Sequence, residues 1–374
     1  MPASDLTQAE ALARLRLART EGIGPLTHRR LLERHGSGRA ALAALPGLAA
    51  RRGAPFAVPP AAEAEREMDA LHRMGGRFLF TGIAPYPALL DLAEDAPPVL
   101  ALLGEPGALA PQAVAIVGAR NASAAGRRIA EDLAEMLAGA GLAVVSGLAR
   151  GIDAAAHAGA LRRGITIACV AGGLDEPYPT EHARLQAAIA AGGGAVLAEA
   201  PLGTAPLARH FPRRNRVVAG LSLGVIVVEA AQRSGSLITA RLALEAGREL
   251  FAVPGSPLDP RCRGSNDLIR QGAHLVETLE DVLEHLPAAP QPVSLLPARR
   301  PPVTDEKAVS EAPEPRGETG QLLELLGTAP IAVDEVLRRC HLSPSAAQAI
   351  LFDLELAGRV ELLPGNRVAL TGRG

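Results

Sequence analysis

Six short apolar runs alternate with segments of helical periodicity through the middle of the chain: Ala113–Val117, Leu142–Val145, Thr166–Val170, Ala195–Leu197, Val225–Val228 and Leu250–Val253. Hydrophobicity within each run is continuous rather than alternating, so both faces of each strand must be covered. The intervening stretches, such as Ala124–Gly139 and Ser236–Gly247, are long enough for crossover helices. This pattern predicts a Rossmann-like, doubly wound, mostly parallel α/β sheet.

The flanks read differently. Leu12, Leu15, Leu17 and Ala18 recur at helical spacing, and Glu21-Gly22-Ile23-Gly24-Pro25 forms a tight turn in which Pro25 opens the next helix. Residues 1–72 are therefore expected to form a helical domain of the SAM or helix-hairpin-helix kind. In such a motif the turn's N–H groups can hold a phosphate; a compact helical domain also uses glycine simply to turn closely. The extended Rossmann-like domain is expected over 73–286, with the proline-broken runs Phe78–Phe80 and Val99–Leu103 as edge strands. Eight prolines and scattered charges mark 287–317 as a linker. Beyond it, helices at Leu322–Leu326, Val333–Cys340 and from a Ser343-Pro344 cap to about Leu356 precede a hairpin, Val360–Leu363 with Val368–Leu370. Residues 318–374 thus read as a winged helix. Its presumed recognition helix, Ser345–Leu356, carries Gln348, Asp353 and Glu355 but no Arg or Lys, which suits a protein contact or control of dimer state better than duplex reading.

In an open α/β sheet, ligands bind beyond the carboxyl ends of the strands. Here those ends are marked by glycine: Gly118-Ala119-Arg120-Asn121, Ser146-Gly147 through Arg150-Gly151, Gly172-Gly173 and Arg233-Ser234-Gly235-Ser236. Glycine admits close backbone approach, and helix N-termini present free N–H groups, so the edge reads as a row of anion sites. Before the fifth run comes Arg209-His210-Phe211-Pro212-Arg213-Arg214-Asn215-Arg216, four guanidinium groups in eight residues. The planar fork of arginine matches phosphate oxygens in pairs. Clustering carries this inference, because Lys307 is the only lysine and arginine is the default cation throughout. Arg213, Arg214 and Arg216 are expected to meet phosphate together.

Composition narrows the partners. A net charge of −2 restricts any nucleic-acid contact to a local patch. With aromatics at 2% and no Trp, base stacking is not expected to be the main source of affinity. Cys169, Cys262 and Cys340 are odd in number and far apart, as reduced thiols in the cytoplasm would be; Cys169 belongs to a strand core. Neither a signal peptide nor a membrane-spanning run is evident. The first loop does not fit G-x-G-x-x-G and no lysine serves a Walker motif, which argues against NAD and ATP. Asp153 is expected to cap the helix after it and His157 to pair with Asp153. Asp175, Glu199 and Glu229 also lie near strand ends, without spacing that warrants acid–base chemistry. No zinc or metal cluster stands out.

The ordered strings Ile116–Asn121, Val145–Asp153 with Ala156-His157, Gly172–Asp175 with Tyr178-Pro179, Phe211–Arg216, Arg233–Thr239 and Val253–Ser256 leading to Gly264–Ile269 resemble the DNA-processing protein A (DprA, or Smf) family. The resemblance implies a cytoplasmic, non-enzymatic single-stranded DNA-binding protein without a cofactor. Such a protein protects incoming DNA in natural transformation and loads a RecA-type recombinase. It also implies DNA contacts at Gly118–Arg120, Ser146–Arg150, Gly172-Gly173 and Arg213–Arg216, and a homodimer through the stretch around Ile269 and Leu275. Two departures stand out. Ala119 replaces a common serine or threonine, and Thr180 stands where many members have a basic residue, leaving Arg184 as the nearest positive charge. The competing class is a Rossmann-like nucleotide N-glycosidic hydrolase with Glu199 or Glu229 as its acid and Arg120 as a phosphate clamp.

Overall fold

The structure, a computed structural model, describes residues 6–52 and 55–287, and in the C-terminal region 319, 322–323, 325–327, 330–340, 342, 344–356, 359–363 and 367–371. Contacts divide these residues into two compact units. One holds the described residues up to Arg39 and from Val58 to 287; the other holds those of 40–57 and the C-terminal region.

In the first unit, α1 (Gln8–Ala18) starts at Thr7, whose hydroxyl accepts from the N–H of Glu10. The next helix, α2 (Pro25–His35), opens on Pro25 and stops at Gly36, whose φ of 76° ends the helix in the left-handed region. The division between units falls within α3 (Gly38–Arg52). After α4 (Ala61–Arg73) the chain enters the sheet through β1 (Arg77–Phe80), the short α5 (Ala88–Asp91) and β2 (Val99–Gly104). Then follow β3 (Ala113–Val117), α6 (Ala124–Gly139), β4 (Ala143–Ser146), α7 (Ile152–Ala160), β5 (Thr166–Val170), α8 (Ala183–Ala191) and β6 (Ala195–Ala198). A long connection leads to α9 (His210–Leu221), β7 (Gly224–Val227), α10 (Gly235–Glu245), β8 (Glu249–Ala252), α11 (Arg263–Arg270), β9 (His274–Leu275) and α12 (Leu279–His285).

These strands form one nine-stranded sheet in the order β1-β2-β6-β5-β4-β3-β7-β8-β9. From β6 to β9 every neighbour is parallel, while β1 and β2 are antiparallel additions. The expected architecture is the one found. Of the two expected edge strands only β1 lies at the edge; β2 is internal, paired on both sides, and four of its six residues are buried. Alternate residues of β3 point to opposite layers. Val114 and Ile116 pack with Leu133, Leu137, Ile152 and Ala156 of α6 and α7, whereas Ala115 and Val117 pack with Val217, Val218, Ala240 and Ala243 of α9 and α10. Cys169 is core, as expected. Arg19 at the end of α1 clasps Glu67 of α4 and donates to the carbonyl of Glu199, joining the helical segment to the sheet edge.

The C-terminal unit has β10 (Ile331–Ala332), α13 (Val333–Arg339), α14 (Pro344–Leu356), β11 (Val360–Leu363) and β12 (Arg367–Leu370), with strand order β10-β12-β11. Leu322, Leu326, Val336, Leu351, Leu354 and Val368 make its core, as a winged helix requires. The Ser343 cap, the turn at 364–366 and, apart from Pro287, the 287–317 linker lie outside the described residues. Among the described residues no helix is long and apolar enough to cross a membrane.

Two histidines are sealed in the first unit. Burial pushes His28 down to about 4 and His157 down to about 3. Both values fall below the ordinary 6.5, so the unfolded chain protonates first. Stability is then complete above pH 6.5 and declines as pH falls toward those values, by roughly 1.4 kcal/mol per pH unit for each histidine. Urea denaturation at pH 7.5 and 5.5 is expected to show a lower midpoint at 5.5; an unchanged midpoint would contradict this burial.

Candidate nucleic-acid interface

The strand order reverses between β3 and β7, and the crevice beyond their carboxyl ends is where an open sheet receives ligands. Three chain features converge there: the loop after β3, the loop after β4 and the first turn of α9. The two loops touch. Gly151 sits at φ 77°, with the carbonyls of Ala119 and Arg120 so near that no Cβ fits, and its neighbour Ile152 donates its N–H to Ala119 at 3.2 Å. A Cβ on Gly118 would lie 2.6 Å from Ile152 Cγ1. These glycines serve loop-on-loop packing.

Part of the expected row of amides is taken up by the protein itself. Asp153 Oδ2 accepts from the N–H groups of Gly147 (3.1 Å) and Ala149 (3.3 Å). Glu229 accepts from the Ser123 N–H (2.9 Å) and hydroxyl (2.5 Å) at the start of α6. Gly173 gives its N–H to Thr204 O at 2.9 Å, and Asp175 accepts from Gly203. The Ser146 hydroxyl is buried against Ile116 O at 2.6 Å, away from any ligand. The physical reason is general: a loop preformed without ligand must satisfy its buried donors internally. Two smaller expectations change with this. Gly151, not Asp153, caps α7, and His157 pairs through Nδ1 with the Thr166 hydroxyl at 2.7 Å, not with Asp153.

The arginine cluster also divides. Arg214 is 7% exposed. Its Nη1 donates to the carbonyls of Gly147 and Cys169, and its Nε to Asn215 Oδ1 at 3.1 Å. Burial raises the pKa of Asp153 against the pull of Arg214, and burial lowers that of Arg214 against the pull of Asp153. The two ions thus offset each other beneath the β4 loop. Arg216 has a 12% exposed side chain that pairs with Glu199 at 2.5 Å and donates to Asp95 O. Neither guanidinium is turned to solvent as a phosphate clamp, which corrects the expectation that Arg213, Arg214 and Arg216 act together. Arg214 lies off the face that Arg213 and Arg216 share at i,i+3 spacing; both of those reach Glu199, and of the three only Arg213 is exposed. Arg213 is 64% exposed and 3.6 Å from Glu199. Arg209 and Arg233 are exposed, and Ser234 caps α10 by accepting from the Ser236 N–H.

At the centre is a stack in which Arg120 and Tyr178 are exposed and Phe211 is half-buried, with Arg214 also 5.8 Å from its ring centroid. The Arg120 guanidinium lies 4.8 Å from the centroid of the Phe211 ring, and Tyr178 meets Phe211 edge-on at 5.9 Å. Tyr178 is 49% exposed. Two cavities share this stack. One of 360 Å³ is lined by Asn121, Gly147, Arg150, Gly172, Tyr178 and Phe211; the other, of 470 Å³, reaches Gly118, Phe211, Asn215, Gly235 and Ser236. Sequence reasoning missed Tyr178 as a site residue and discounted stacking on composition. A 2% aromatic content says nothing about where the rings are placed, and the Tyr178-Pro179 string was the available signal. Thr180 and Arg184 line neither cavity; instead their neighbour Glu181 holds Arg150 at 2.6 and 2.7 Å. On the far side of the sheet, Ile269 is half-buried in α11 and Leu275 is 46% exposed on the edge strand β9. No cluster of His, Cys, Asp or Glu that could hold a metal occurs among the described residues.

Comparison with known proteins identifies the family of the chain. The family described as DNA recombination-mediator protein A matches residues 77–287, a DprA-like N-terminal HHH domain matches 8–70, and a DprA winged helix domain matches 306–366. The chain is 43% identical over 293 residues to Protein Smf of Escherichia coli (strain K12), covering 76% of this chain and 75% of that protein. It is 45% identical over 204 residues to the DNA processing protein DprA of Bacillus subtilis (strain 168), covering 54% of this chain and 68% of the relative. The X-ray structure of DprA from Streptococcus pneumoniae superposes with a TM-score of 0.63 at 33% identity, over 76% of this chain and 100% of that one. A DprA structure from Helicobacter pylori, described for its unique single-stranded DNA binding mode, superposes with a TM-score of 0.51 at 31% identity, over 56% of this chain and 94% of that one. The chain belongs to the DNA recombination-mediator protein A family.

Proposed function

We propose that this protein binds single-stranded DNA along the carboxyl edge of its sheet, covers it, and passes it to a RecA-type recombinase during transformation or recombination. The observation that carries the proposal is the Arg120–Phe211–Tyr178 stack at the strand-order switch, with Arg120 and Tyr178 open to solvent. Unpaired bases can pack on ring faces that paired bases cannot reach, while Arg120, Arg213 and Arg150 answer the phosphates. The Helicobacter pylori DprA structure, described for its single-stranded DNA binding mode, supports the same reading. Protection and recombinase loading rest on family likeness. A homodimer through Ile269 and Leu275 fits the exposed Leu275 on an edge strand, which has one side open for pairing.

The protein acts as a binding mediator without catalysis of its own. A nucleotide hydrolase would need an acid free to reach substrate, yet Glu199 is held by Arg216 and Glu229 by Ser123. Equilibrium binding to matched single- and double-stranded oligonucleotides over a salt series tests the proposal. Single strands are expected to bind at least about tenfold tighter, with a log–log salt slope near −2 for about three phosphate contacts. Equal affinity for both forms, or free base released from nucleoside monophosphates, would overturn it.

A further inference from the structure

Beside the aromatic pocket lies a second, larger groove of 960 Å³ whose role the stack does not explain. It is bounded by the first turns of α6 and α7, and Arg120 and Arg150 line both it and the 360 Å³ cavity. We propose that this groove carries the same single strand onward, holding the sugar-phosphate backbone of nucleotides that follow those at Phe211. The inference rests on the proposed function and extends it to a second subsite.

Three observations support it. The first is continuity, since Arg120, Asn121 and Arg150 line both the groove and the 360 Å³ cavity. The second is wall chemistry. Ala122, Ala124, Gly151, Ala154 and Ala155 line the groove and no Phe or Tyr does; the one ring in its lining, His182, is tied through Nδ1 to the Leu148 carbonyl, so the groove suits backbone better than bases. The third is charge. Arg127 and Arg120 are exposed and, among the described residues, have no carboxylate within ion-pair distance. Arg128 is 84% exposed and only loosely held, 3.5 Å from Asp132. Arg162, by contrast, is tied to Glu131 and Glu135. The available cations therefore line the rim at Arg120, Arg127 and Arg128, and the acids Glu131 and Asp132, four residues further along the same helix α6, limit how far the strand follows it. Arg150 joins that rim once phosphate displaces Glu181, a carboxylate that is itself 52% exposed and free to swing away.

The test uses the full chain with two oligothymidylates, one of about six nucleotides that the aromatic pocket can accommodate and one of about twenty that must run further. The double variant Arg127→Ala with Arg128→Ala is expected to weaken the longer oligomer about 5- to 10-fold and reduce its salt slope by about 1.4, two phosphate contacts, while leaving the shorter one unchanged. Arg127→Glu should produce a larger loss, again on the longer oligomer alone. Wild-type affinity for both lengths, or an equal loss on both, would overturn the second subsite. Phe211→Ala serves as the discriminating control. Should it fail to weaken the short oligomer, the proposed site at the stack falls, whatever the Arg127 variants show.

Discussion

Phe211→Ala is expected to weaken single-stranded DNA binding by about 10-fold or more while leaving its salt dependence unchanged. Stacking of one base on an aromatic ring contributes about 1–3 kcal/mol, and that contribution involves no counterion release. Arg120→Ala should produce a comparable loss with the opposite signature: the log–log salt slope falls by about 0.7, the value for one phosphate on a single strand. Because Arg120 lies over Phe211 at 4.8 Å, the two variants share part of their effect, and the double variant should lose less than the sum. Fluorescence anisotropy titrations at several salt concentrations separate the two signatures. Neither side chain supports the core, so the unfolding midpoint should stay at the wild-type value in both variants. An aromatic deletion that changed the slope, or an Arg120 deletion that left it alone, would contradict the assigned division of labour.

Arg214→Ala should do the reverse and act on folding. The guanidinium is 7% exposed and bonds the carbonyls of Gly147 and Cys169 while its charge offsets that of the buried Asp153. Removing it leaves the buried Gly147 and Cys169 carbonyls without this donor, at about 1–3 kcal/mol for each buried group left unsatisfied. Lysine is not expected to rescue it, since a single ammonium cannot reproduce the planar fork that reaches two carbonyls and Asn215. The loss should also depend on pH with a definite sign. Burial already holds the pKa of Asp153 above its ordinary value, and loss of Arg214 raises it further. A carboxyl whose folded pKa lies above its unfolded one burdens the fold at neutral pH, and that burden lifts as pH falls through the raised folded value, being gone below about 4. The stability gap between Arg214→Ala and wild type should therefore narrow in acid. Urea denaturation near pH 7 and near pH 4 measures it; an equal midpoint at pH 7 would mean that Arg214 has no structural role.

The contrast between Arg120 and Arg214 marks how far the sequence was legible. The strands were readable because doubly covered β-strands must be continuously apolar, and β3 and α6 fall on the expected residues. The glycine-marked ends pointed to the carboxyl edge at which the candidate site is built. What could not be read was the direction of each side chain. Arg214 and Arg216 are two of four arginines in eight residues, and only helix geometry and the partners Gly147, Cys169 and Glu199 turn them inward. The loop amides were misjudged for a related reason. Asp153 and Glu229 are distant or indirect in sequence from the N–H groups they satisfy, as with the 106-residue separation of Ser123 and Glu229. Tyr178 and Phe211 lie on separate connections of the fold, so their meeting is a tertiary fact invisible to composition.

Photo-crosslinking tests the account at its centre. A single-stranded oligonucleotide bearing 5-iodouracil, irradiated on the full chain and mapped by mass spectrometry, reports which side chains touch unpaired bases. With six Phe, two Tyr and no Trp in the chain, aromatic attachments can be assigned without ambiguity. Crosslinks at Phe211 or Tyr178, abolished by excess unlabelled single strand but not by duplex, are the expected result. Crosslinks confined to the winged helix or to the α1–α2 turn, with Phe211 and Tyr178 unmodified, would contradict it.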